Sequence, residues 1–440
     1  MRRTALDAVE AALARADPGP ATRALIRREG HWLAIGAETI DLRAVRRIIV
    51  LGAGKASFPI AQALEDILGE RLSAGIVVAK HGQPGRPSRL RLHLAGHPVP
   101  DAQGLAAARE VSALARATGP GDLVFAAITG GSSALLPLPP AGITLADKQE
   151  LTRLLLACGA DIFEINAVRK HLSRIKGGRL ARHIHPQARL INLTVSDVVG
   201  DAFDYITDPT VPDTSTLADA RATLERYRLW QRLPASVRRH LARGGPARES
   251  PKNLSPLSVT THLLVDSAVA ATAALAVLTE AGFHAHLLTT ALTGDSVQAG
   301  RDFAALANSI LHRGEPVRSP AAIVAAGETT VSLGGAPPGV GGPNQEFSFA
   351  AALALPPQAG ALVLGLDTDG SDGPSDLAGA IADATTACRA RGLGLDLEDV
   401  LRRHDTTTLA EALGDGIRTG ATGTNVNDLK LMLLGSGSAA

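Results

Sequence analysis

The chain has 440 residues, 45% of them apolar and 20% charged, a composition typical of a folded globular protein long enough for two domains. Its formal net charge of +1 gives no electrostatic reason to expect nucleic acid or an anionic membrane as a partner. No apolar run of about 18 residues occurs, and the first segment carries Asp7 and Glu10. We therefore expect an amphipathic first helix there, rather than a signal peptide. The two cysteines form neither a disulfide framework nor a zinc motif, which favours the reducing cytoplasm.

Short apolar runs alternate along the chain with stretches of helical period, such as a helix predicted from about Phe58 to Leu68. The strand candidates are, in chain order, RRIIVLG, SAGIVVAK, DLVFAAITGG, ARLINLTVSD, THLLVDS, AHLLTTAL, AAIVAAGE and ALVLGLDTDG. Continuous β-rich runs separated by helices are typical of parallel sheets covered on both faces. The predicted class is α/β, with two doubly wound domains of mainly parallel sheet.

A segment rich in Gly, Pro and Ser, residues 240–258, is the best candidate for a linker, although a long surface loop has the same composition. It divides the chain into a predicted N-terminal domain of residues 1–245 and a C-terminal domain of residues 255–440.

Glycine and polar residues follow five of the predicted strands. These strand ends are Gly52 to Ser57, Thr129 to Ser133, Ser196 to Asp201, Gly327 to Thr330 and Asp367 to Gly373. In open α/β sheets, ligands bind beyond the carboxyl ends of the strands. We therefore expect a polar cleft lined by both domains.

The first strand end, GAGKAS, is not a P-loop, and Ser57 occupies the third glycine position of a dinucleotide fingerprint. Gly52 and Gly54 fit a nucleotide-binding turn, but they fit a plain tight turn equally well. Lys55 would meet an anion beside the free N–H groups of a helix start. The alternative is a solvated surface lysine.

The second strand end, TGGSS, is a stronger candidate for a phosphate site. The backbone N–H groups of Gly130, Gly131, Ser132 and Ser133 can form an anion nest, with hydroxyl groups as further donors. The alternative is a serine N-cap preceded by glycines for a turn.

The segment EINAVRKHLSRIKGGRLA predicts a helix that Gly177 and Gly178 end or bend. Its apolar positions should be buried, and a second face would carry Asn166, Lys170, Ser173 and Arg174. A basic face of this kind is either solvated or supplies cations to a polyphosphate.

Acidic residues at the strand ends suit Mg²⁺ bound together with a nucleotide, because this cation prefers oxygen ligands. They are Asp197, Asp201, Glu328, Asp369 and Asp372. Some of them, Asp372 in particular, are alternatively helix caps or turn formers. No histidine has metal-ligand spacing, and we interpret His97 as structural.

The stretch RTGATGTNVNDL near the C-terminus is rich in glycine, threonine and asparagine. It is either one wall of a polar site, with Asn425 and Asp428 directed at a ligand, or a surface turn in which Asn427 and Asp428 cap a following helix.

These motifs occur in the order found in the glycerate 2-kinase family, whose C-terminal part is called the MOFRL domain. They are GAGKAS, GHPVPDAQG, TGGSSALLPLP, INAVRKHLSRIKGGRLA, VSDVVGD, GETTV, GGPNQEF, DTDGSDGP and TGATGTNVNDL. The resemblance extends over residues 40–430. It implies ATP-dependent phosphorylation of D-glycerate at the 2-hydroxyl, and two α/β domains with the active site in the cleft between them.

A mechanistic hypothesis for this activity assigns roles to single residues. The glycines and serines of the TGGSS turn would hold ATP phosphates, with Lys55 as the lysine thought essential in the family. Asp197 and, more weakly, Asp201 would hold Mg²⁺, and Glu328 or Asp197 would act as the base. The remaining positions assigned to ATP or to the acceptor are Gly52, Gly54, Asn166, Lys170, Asn344, Gln345, Glu346, Asn425 and Asp428.

Three positions depart from the family pattern. Thr129 to Ser133 replaces a Ser-Gly-Gly-Gly-Ser run, and Thr207 to Thr210 replaces Ser-Gly-Pro-Thr. Pro343 replaces an arginine that would clamp a carboxylate or a phosphate. Another cation then compensates, or the acceptor differs from D-glycerate.

A homodimer is the predicted assembly. Two rival functions stay open at this point. The first is a nicotinamide-dependent hydroxypyruvate reductase, an older annotation within the family, but the next strand ends in Lys80 and offers no acid for a ribose. The second is a non-catalytic sensor of a sugar acid or a nucleotide.

Overall fold

The computed structural model describes residues 1–197, 203, 208–245, 248–333, 339–356 and 360–435. The chain forms two compact units. One is Pro18–Leu264, and the other combines Met1–Asp17 with Val265–Ala440. The predicted boundary near residues 245–255 lies close to Leu264, whereas the first helix groups with the C-terminal unit.

The Pro18–Leu264 unit, called the N-terminal unit below, contains nine strands within its described residues. They are β1 (Ile26–Glu29), β2 (Trp32–Ile35), β3 (Glu38–Asp41), β4 (Ile48–Ala53), β5 (Leu72–Lys80), β6 (Arg91–Ala95), β7 (Leu123–Ile128), β8 (Arg189–Val195) and β9 (Ser258–Val265). The first three form a small antiparallel sheet that the sequence analysis did not predict.

The other six strands form one sheet in the order β6-β5-β4-β7-β8-β9, and the pairs from β6 to β8 are parallel. From β4 the chain adds β5 and β6 on one side, and it then returns to add β7 on the other side of β4. This arrangement creates a topological switch point between β4 and β7, which is where ligands bind in doubly wound sheets. All residues of β4 and β7 are buried, as expected of continuous apolar runs.

Helices cover this sheet and form an additional helical layer. Those of the N-terminal unit, after α1 (Arg2–Arg15) of the other unit, are α2 (Pro18–Leu25), α3 (Ser57–Leu68), α4 (Ala102–Arg116), α5 (Ser132–Leu135), α6 (Leu145–Leu156), α7 (Ile162–His171), α8 (Leu217–Arg226) and α9 (Ala235–Ala242). The predicted helix at Phe58–Leu68 is confirmed. Side chains of α6, α7, α8 and α9 share one apolar cluster.

Helix α7 is shorter than predicted. It ends at His171 instead of continuing to Gly177. The Ser173 hydroxyl accepts hydrogen bonds from the backbone N–H groups of Ile175 and Lys176 at 3.3 and 3.2 Å. This local alternative to helical hydrogen bonding turns the chain away from the helix axis.

The C-terminal unit contains α1, a six-stranded sheet and further helices. Its strands are β10 (His284–Leu292), β11 (Ala321–Gly327), β12 (Ala361–Asp367), β13 (Gly379–Asp383), β14 (Gly416–Ile417) and β15 (Asp428–Leu434). Its helices are α10 (Ser267–Glu280), α11 (Ser296–Arg313), α12 (Pro343–Ala354), α13 (Thr386–Gly392), α14 (Leu397–Arg402) and α15 (Thr406–Leu413). Helix α1 packs against α10.

The C-terminal sheet is mixed, which corrects the expectation of a mainly parallel sheet. Its order is β10-β11-β15-β12-β13-β14, and only the pair β10–β11 is parallel within the described residues. The last strand, β15, lies between β11 and β12 and runs antiparallel to both. All seven residues of β15 are buried, as expected of a strand in the interior of a sheet. In this position both edges of β15 form backbone hydrogen bonds with neighbouring strands.

The α/β class is therefore confirmed, and each strand candidate of the sequence corresponds to an observed strand. In the described part of the chain, none of the helices combines the length and the apolar character needed to cross a bilayer.

Candidate functional site

The turns that follow β4 and β7 lie against each other at the switch point of the N-terminal sheet. The Lys55 N–H donates to the Gly130 carbonyl over 2.9 Å, and the Ala56 N–H donates to Thr129 Oγ1 over 3.1 Å. Gly54 has a φ of +137°, and a Cβ atom there would lie 2.1 Å from Thr129 Oγ1. Glycine is therefore required at this position by the close approach of the two turns.

Gly52 lies inside β4, before the turn begins. A Cβ atom at this residue would lie 3.1 Å from Val77 Cγ2 on the neighbouring strand β5. Glycine at this position thus makes room for a neighbouring side chain. The predicted contact of Gly52 with a nucleotide stays a prediction.

Lys55 and His97 meet at Gly131. Gly131 has a φ of +84°, and a Cβ atom there would lie 3.1 Å from Lys55 Cγ and 3.3 Å from His97 Nε2. Both side chains are half-buried. The sequence analysis interpreted His97 as structural, yet it lies beside the predicted phosphate turn. Its only sequence signal was its place in the motif GHPVPD, because the contact joins residues far apart in the chain.

The predicted phosphate turn has free backbone donors. In the described part of the chain, the N–H groups of Gly130 and Gly131 donate to no acceptor. Gly131 is the N-cap of α5 and provides no side-chain cap, so the alternative of a serine N-cap is wrong. Ser132 is buried and Ser133 is half-buried as α5 begins. Two free amide donors beside a lysine and a histidine are suited to bind an oxyanion.

Asp197 follows β8 at the same edge of this sheet and is half-buried. The Thr194 hydroxyl donates to the Ile128 carbonyl over 2.7 Å, which ties the end of β8 to the end of β7. Asp201, the second predicted magnesium ligand, lies outside the described residues. Among the residues that are described, no group of three or more His, Cys, Asp or Glu side chains is arranged for a metal ion. The assignment of Mg²⁺ to Asp197 stays a prediction.

Asn166 and Lys170 lie on α7, but Lys170 is buried instead of forming a solvated face. Its Nζ atom lies 3.0 Å from Asp213 Oδ1, in an ion pair whose side chains are 1% and 0% exposed. The Ser215 N–H and hydroxyl also donate to Asp213 Oδ1, each over 2.9 Å. Asn166 is half-buried, and Arg174 alone of the predicted polar face is exposed.

Two further lysines, neither of which was expected from the sequence to belong to the site, are buried, and one of them contacts the predicted phosphate turn. Lys176 Nζ donates to the Ser132 carbonyl over 3.5 Å, and Lys148 Nζ donates to the Leu172 carbonyl over 3.1 Å. Burial, followed by repulsion from Lys176 and Arg169, lowers the pKa of Lys148 to about 7. Burial also lowers the pKa of Lys176, to about 8, although the Asp208 carboxylate opposes this shift.

In the C-terminal unit, the loop before β15 lies at the carboxyl ends of β11 and β12. Asp428, the first residue of β15, pairs with Gly327 on one side and with Asp367 on the other. The Val426 N–H donates to Thr368 Oγ1 over 2.8 Å, which fixes the loop to the end of β12. A strand, not a helix, follows this loop, so the alternative of a helix cap at Asn427 and Asp428 is wrong.

Asn344 and Asp428 belong to a buried network at this sheet edge. Asn344 Nδ2 donates to Asp428 Oδ1 over 2.9 Å and to Asp372 Oδ1 over 3.1 Å. Lys430 donates to both Asn344 and Asp428. Asp372 accepts the backbone N–H groups of Asn344 and Gln345, and so caps α12 from outside the helix. Burial raises the pKa of Asp372 to about 6, although these N–H bonds oppose the shift.

The remaining predicted acceptor residues differ in exposure. Gln345 is buried, and its side chain bonds Ser375 at 3.0 Å and Thr407 at 2.9 Å. Glu346 is buried and pairs with His404 at 2.8 Å. Asn425 is buried in the loop before β15, whereas Glu328 is exposed just after β11. Most of the sequence-predicted residues thus lie at the carboxyl ends of strands in one or the other sheet, whereas Asn166 and Lys170 lie on α7.

Two family models match the chain. A domain of unknown function, DUF4147, matches residues 4–242, and the MOFRL family matches residues 321–428.

Similar proteins match the chain over nearly its whole length. A glycerate 2-kinase from Pyrococcus horikoshii is 37% identical, with 99% of this chain and 98% of that protein covered. The crystal structure of a glycerate kinase from Thermotoga maritima superposes with a TM-score of 0.80 at 35% identity, covering 98% of this chain and 99% of that one. A protein from Agrobacterium vitis named as a candidate hydroxypyruvate reductase is 42% identical over 88% of this chain and all of its own length.

Proposed function

The chain belongs to the glycerate 2-kinase family, and on this premise we propose that it transfers the γ-phosphoryl group of ATP to the 2-hydroxyl of D-glycerate. The products are 2-phospho-D-glycerate and ADP. The bond between the γ-phosphorus and the bridging oxygen breaks, a bond to the 2-oxygen forms, and the hydroxyl proton passes to a base.

One observation carries the proposal, namely the joined turns at the switch point between β4 and β7. Phosphoryl transfer depends on positioning and charge neutralisation more than on covalent chemistry. The free N–H groups of Gly130 and Gly131 supply donors for phosphate oxygens, and Lys55 supplies a cation beside them. His97 supplies a further polar group against Gly131. A turn built only to connect a strand to a helix would need neither side chain.

Magnesium would enter with ATP, and Asp197 is the carboxylate that we assign to it. Its half-buried position beyond β8, at the same sheet edge as the phosphate turn, supports this assignment. The bound Mg²⁺ would neutralise developing charge on the phosphate oxygens. The base is Asp197 or Glu328, and kinetics of the two neutral amide variants would separate them.

We further propose that the C-terminal network helps to bind the acceptor. Asn344 and Asp428 are bonded to each other and to Lys430, which supports a positioning role for them. Asn425, in the loop before β15, stays assigned to ATP, and Asp428 to the acceptor. Gln345 and Glu346 would hold α12 and its loop through their bonds to Thr407 and His404.

The assay is ADP release with ATP, Mg²⁺ and D-glycerate, followed by NMR identification of the phosphorylated carbon. We expect ADP to form only with the acceptor present, and phosphate to appear on carbon 2. A panel of other small hydroxy acids tests whether Pro343 has changed the acceptor. NADH oxidation by hydroxypyruvate, measured without coupling enzymes and in the absence of any ADP release, would instead establish the reductase. The reducing cytoplasm stays our prediction for the compartment, and a homodimer stays our prediction for the assembly.

A further inference from the structure

Three lysines of the N-terminal unit are almost completely buried. Lys148, Lys170 and Lys176 are 4%, 1% and 1% exposed. Lys170 has a carboxylate partner in Asp213. Within the described residues, the ammonium groups of Lys148 and Lys176 contact only one backbone carbonyl each. An ammonium has three donors, so both groups keep unused hydrogen-bonding capacity.

The charges around these lysines are not balanced. Arg169 and Lys176 repel Lys148, while Asp208 attracts it. Asp208 is itself buried, and burial raises the pKa of its carboxyl group even though Lys176 and Lys170 oppose that shift. Asp213 is engaged by Lys170. Asp208 is thus a counterion that Lys148 and Lys176 share, and the positive charge in this interior exceeds the negative charge that faces it. Such an excess is costly, and a bound anion would reduce this cost.

The side chain of Lys176 contacts the turn. Its Nζ atom donates to the carbonyl of Ser132 over 3.5 Å. The Gly177 N–H donates to Asp208 Oδ1 over 2.6 Å, which holds the following residue in place. Lys148 is held near the start of α6, where Thr144 and Asp147 form a capping box.

We propose that Lys148 and Lys176 form an interior cationic support for the turn Gly130–Ser133 that strengthens the binding of a phosphate-type oxyanion at that turn. The two lysines are positioning residues, because they act through the turn and not by direct contact with the phosphate. The inference rests on the proposed function, since it assumes that the turn binds phosphate. The competing explanation is that Lys148 only neutralises the carbonyl at the C-terminal end of α7.

The experiment measures binding of inorganic sulfate to the full chain by displacement of a fluorescent ATP analogue, at several pH values between 6 and 8.5. Sulfate is chosen because its charge is constant over this range. We expect Lys176→Met to weaken sulfate binding about tenfold at pH 6 and 7, because one nearby buried charge is lost, and less at pH 8.5, where Lys176 has largely lost its proton. Lys148→Met should weaken binding about tenfold at pH 6 and little at pH 8.5. The control Arg153→Met removes an exposed charge from the same helix α6 and should bind sulfate as the wild type does.

The pH dependence of sulfate binding distinguishes support by the charges of Lys148 and Lys176 from a purely structural role of these side chains. Burial and repulsion from Lys176 and Arg169 lower the pKa of Lys148 to about 7, so wild-type binding should weaken first as Lys148 loses its proton, and again as Lys176 loses its proton near pH 8. Lys148→Arg keeps the charge at position 148 and should remove the loss of affinity near pH 7, while the loss near pH 8 remains. Because His97 lies at the same turn, a loss near pH 7 that is as large in Lys148→Arg as in the wild type would overturn the inference for Lys148.

Two further results would also overturn it: a flat wild-type profile, or wild-type sulfate affinity in correctly folded Lys176→Met. If the methionine variants do not fold, the pH profiles of sulfate binding in the wild type and in Lys148→Arg still test the inference. Failure of the kinase assay with intact sulfate binding would remove the proposed function but leave this inference standing. A wild-type profile without the pH effect, together with intact kinase activity, would overturn this inference and leave the proposed function standing.

Discussion

Replacing Gly131 by alanine is a direct test of the phosphate turn. The residue has a φ of +84°, a conformation that costs a residue with a Cβ atom about 1–2 kcal/mol. The new methyl group would also lie 3.1 Å from Lys55 Cγ and 3.2 Å from His97 Cδ2. Since both neighbours are side chains, they can move by a few tenths of an ångström, and the fold should survive.

A matched control separates backbone strain from displacement of the two side chains. Gly142 also has a φ of +84°, but a Cβ atom there would meet nothing within 4 Å. Gly142→Ala therefore carries the same backbone cost without moving Lys55 or His97. Each variant should lower the thermal midpoint by about 2–8 °C, from about 2–4 °C per kcal/mol in a domain of this size.

The assay is kcat/KM for ADP release with D-glycerate, measured together with the thermal midpoint. We expect Gly131→Ala to lose about 10- to 100-fold in kcat/KM, because small misplacements of reacting groups have large effects on rate. Gly142→Ala should keep wild-type kcat/KM despite a similar loss of stability. Equal and near-wild-type activity in both variants would show that Gly131 serves only as a turn.

Three further predictions concern charge. Lys55→Ala should lower kcat about 10²- to 10³-fold with an unchanged thermal midpoint, since a donor to the transition state is lost; retained activity would refute its role. Pro343→Arg should lower KM for D-glycerate about tenfold by adding a carboxylate clamp at the first residue of α12, whereas an unchanged KM would mean that another cation serves. Burial alone would raise the pKa of Glu249, but hydrogen bonds from His171 and from two backbone N–H groups outweigh it and lower that pKa from 4.5 to about 2. The stability that this shift provides is present above pH 4.5 and is lost as pH falls towards 2. After a discount for solvent screening, Glu249→Gln should lower the free energy of unfolding by about 1–2 kcal/mol at pH 7. Urea denaturation near pH 2 should show no difference between this variant and the wild type.

Five of the six strands of the large N-terminal sheet could be predicted because their signal is local, whereas the edge strand β6, which is mostly half-buried or exposed, was missed. Strands such as β7 and β8 read as continuous apolar runs, and a strand buried on both faces needs nothing else. The glycines at the ends of β4 and β7 likewise indicated the two turns that lie against each other, to one of which we assign phosphate binding. The small sheet of β1, β2 and β3 was missed, since its four-residue strands carry mixed charged and apolar residues.

The end of α7 shows where local periodicity is insufficient. Leu172 and Ile175 keep the spacing of a helix and are buried as predicted, yet the helix has already ended at His171. The Ser173 hydroxyl replaces helical hydrogen bonds, and the burial of Lys170 depends on Asp213, which lies 43 residues further along the chain. No pattern within the segment indicates either contact.

The sequence by itself determined the α/β class, the strand candidates and the glycine-rich turn that carries the proposed chemistry, because each depends on neighbours in the chain. Only the tertiary structure decided that β15 inserts antiparallel between β11 and β12, that His97 and Lys55 both approach Gly131, and that Lys148 and Lys176 are buried. Strand pairing, burial and charge interactions are set by residues distant in sequence, so they become visible only when the chain has folded.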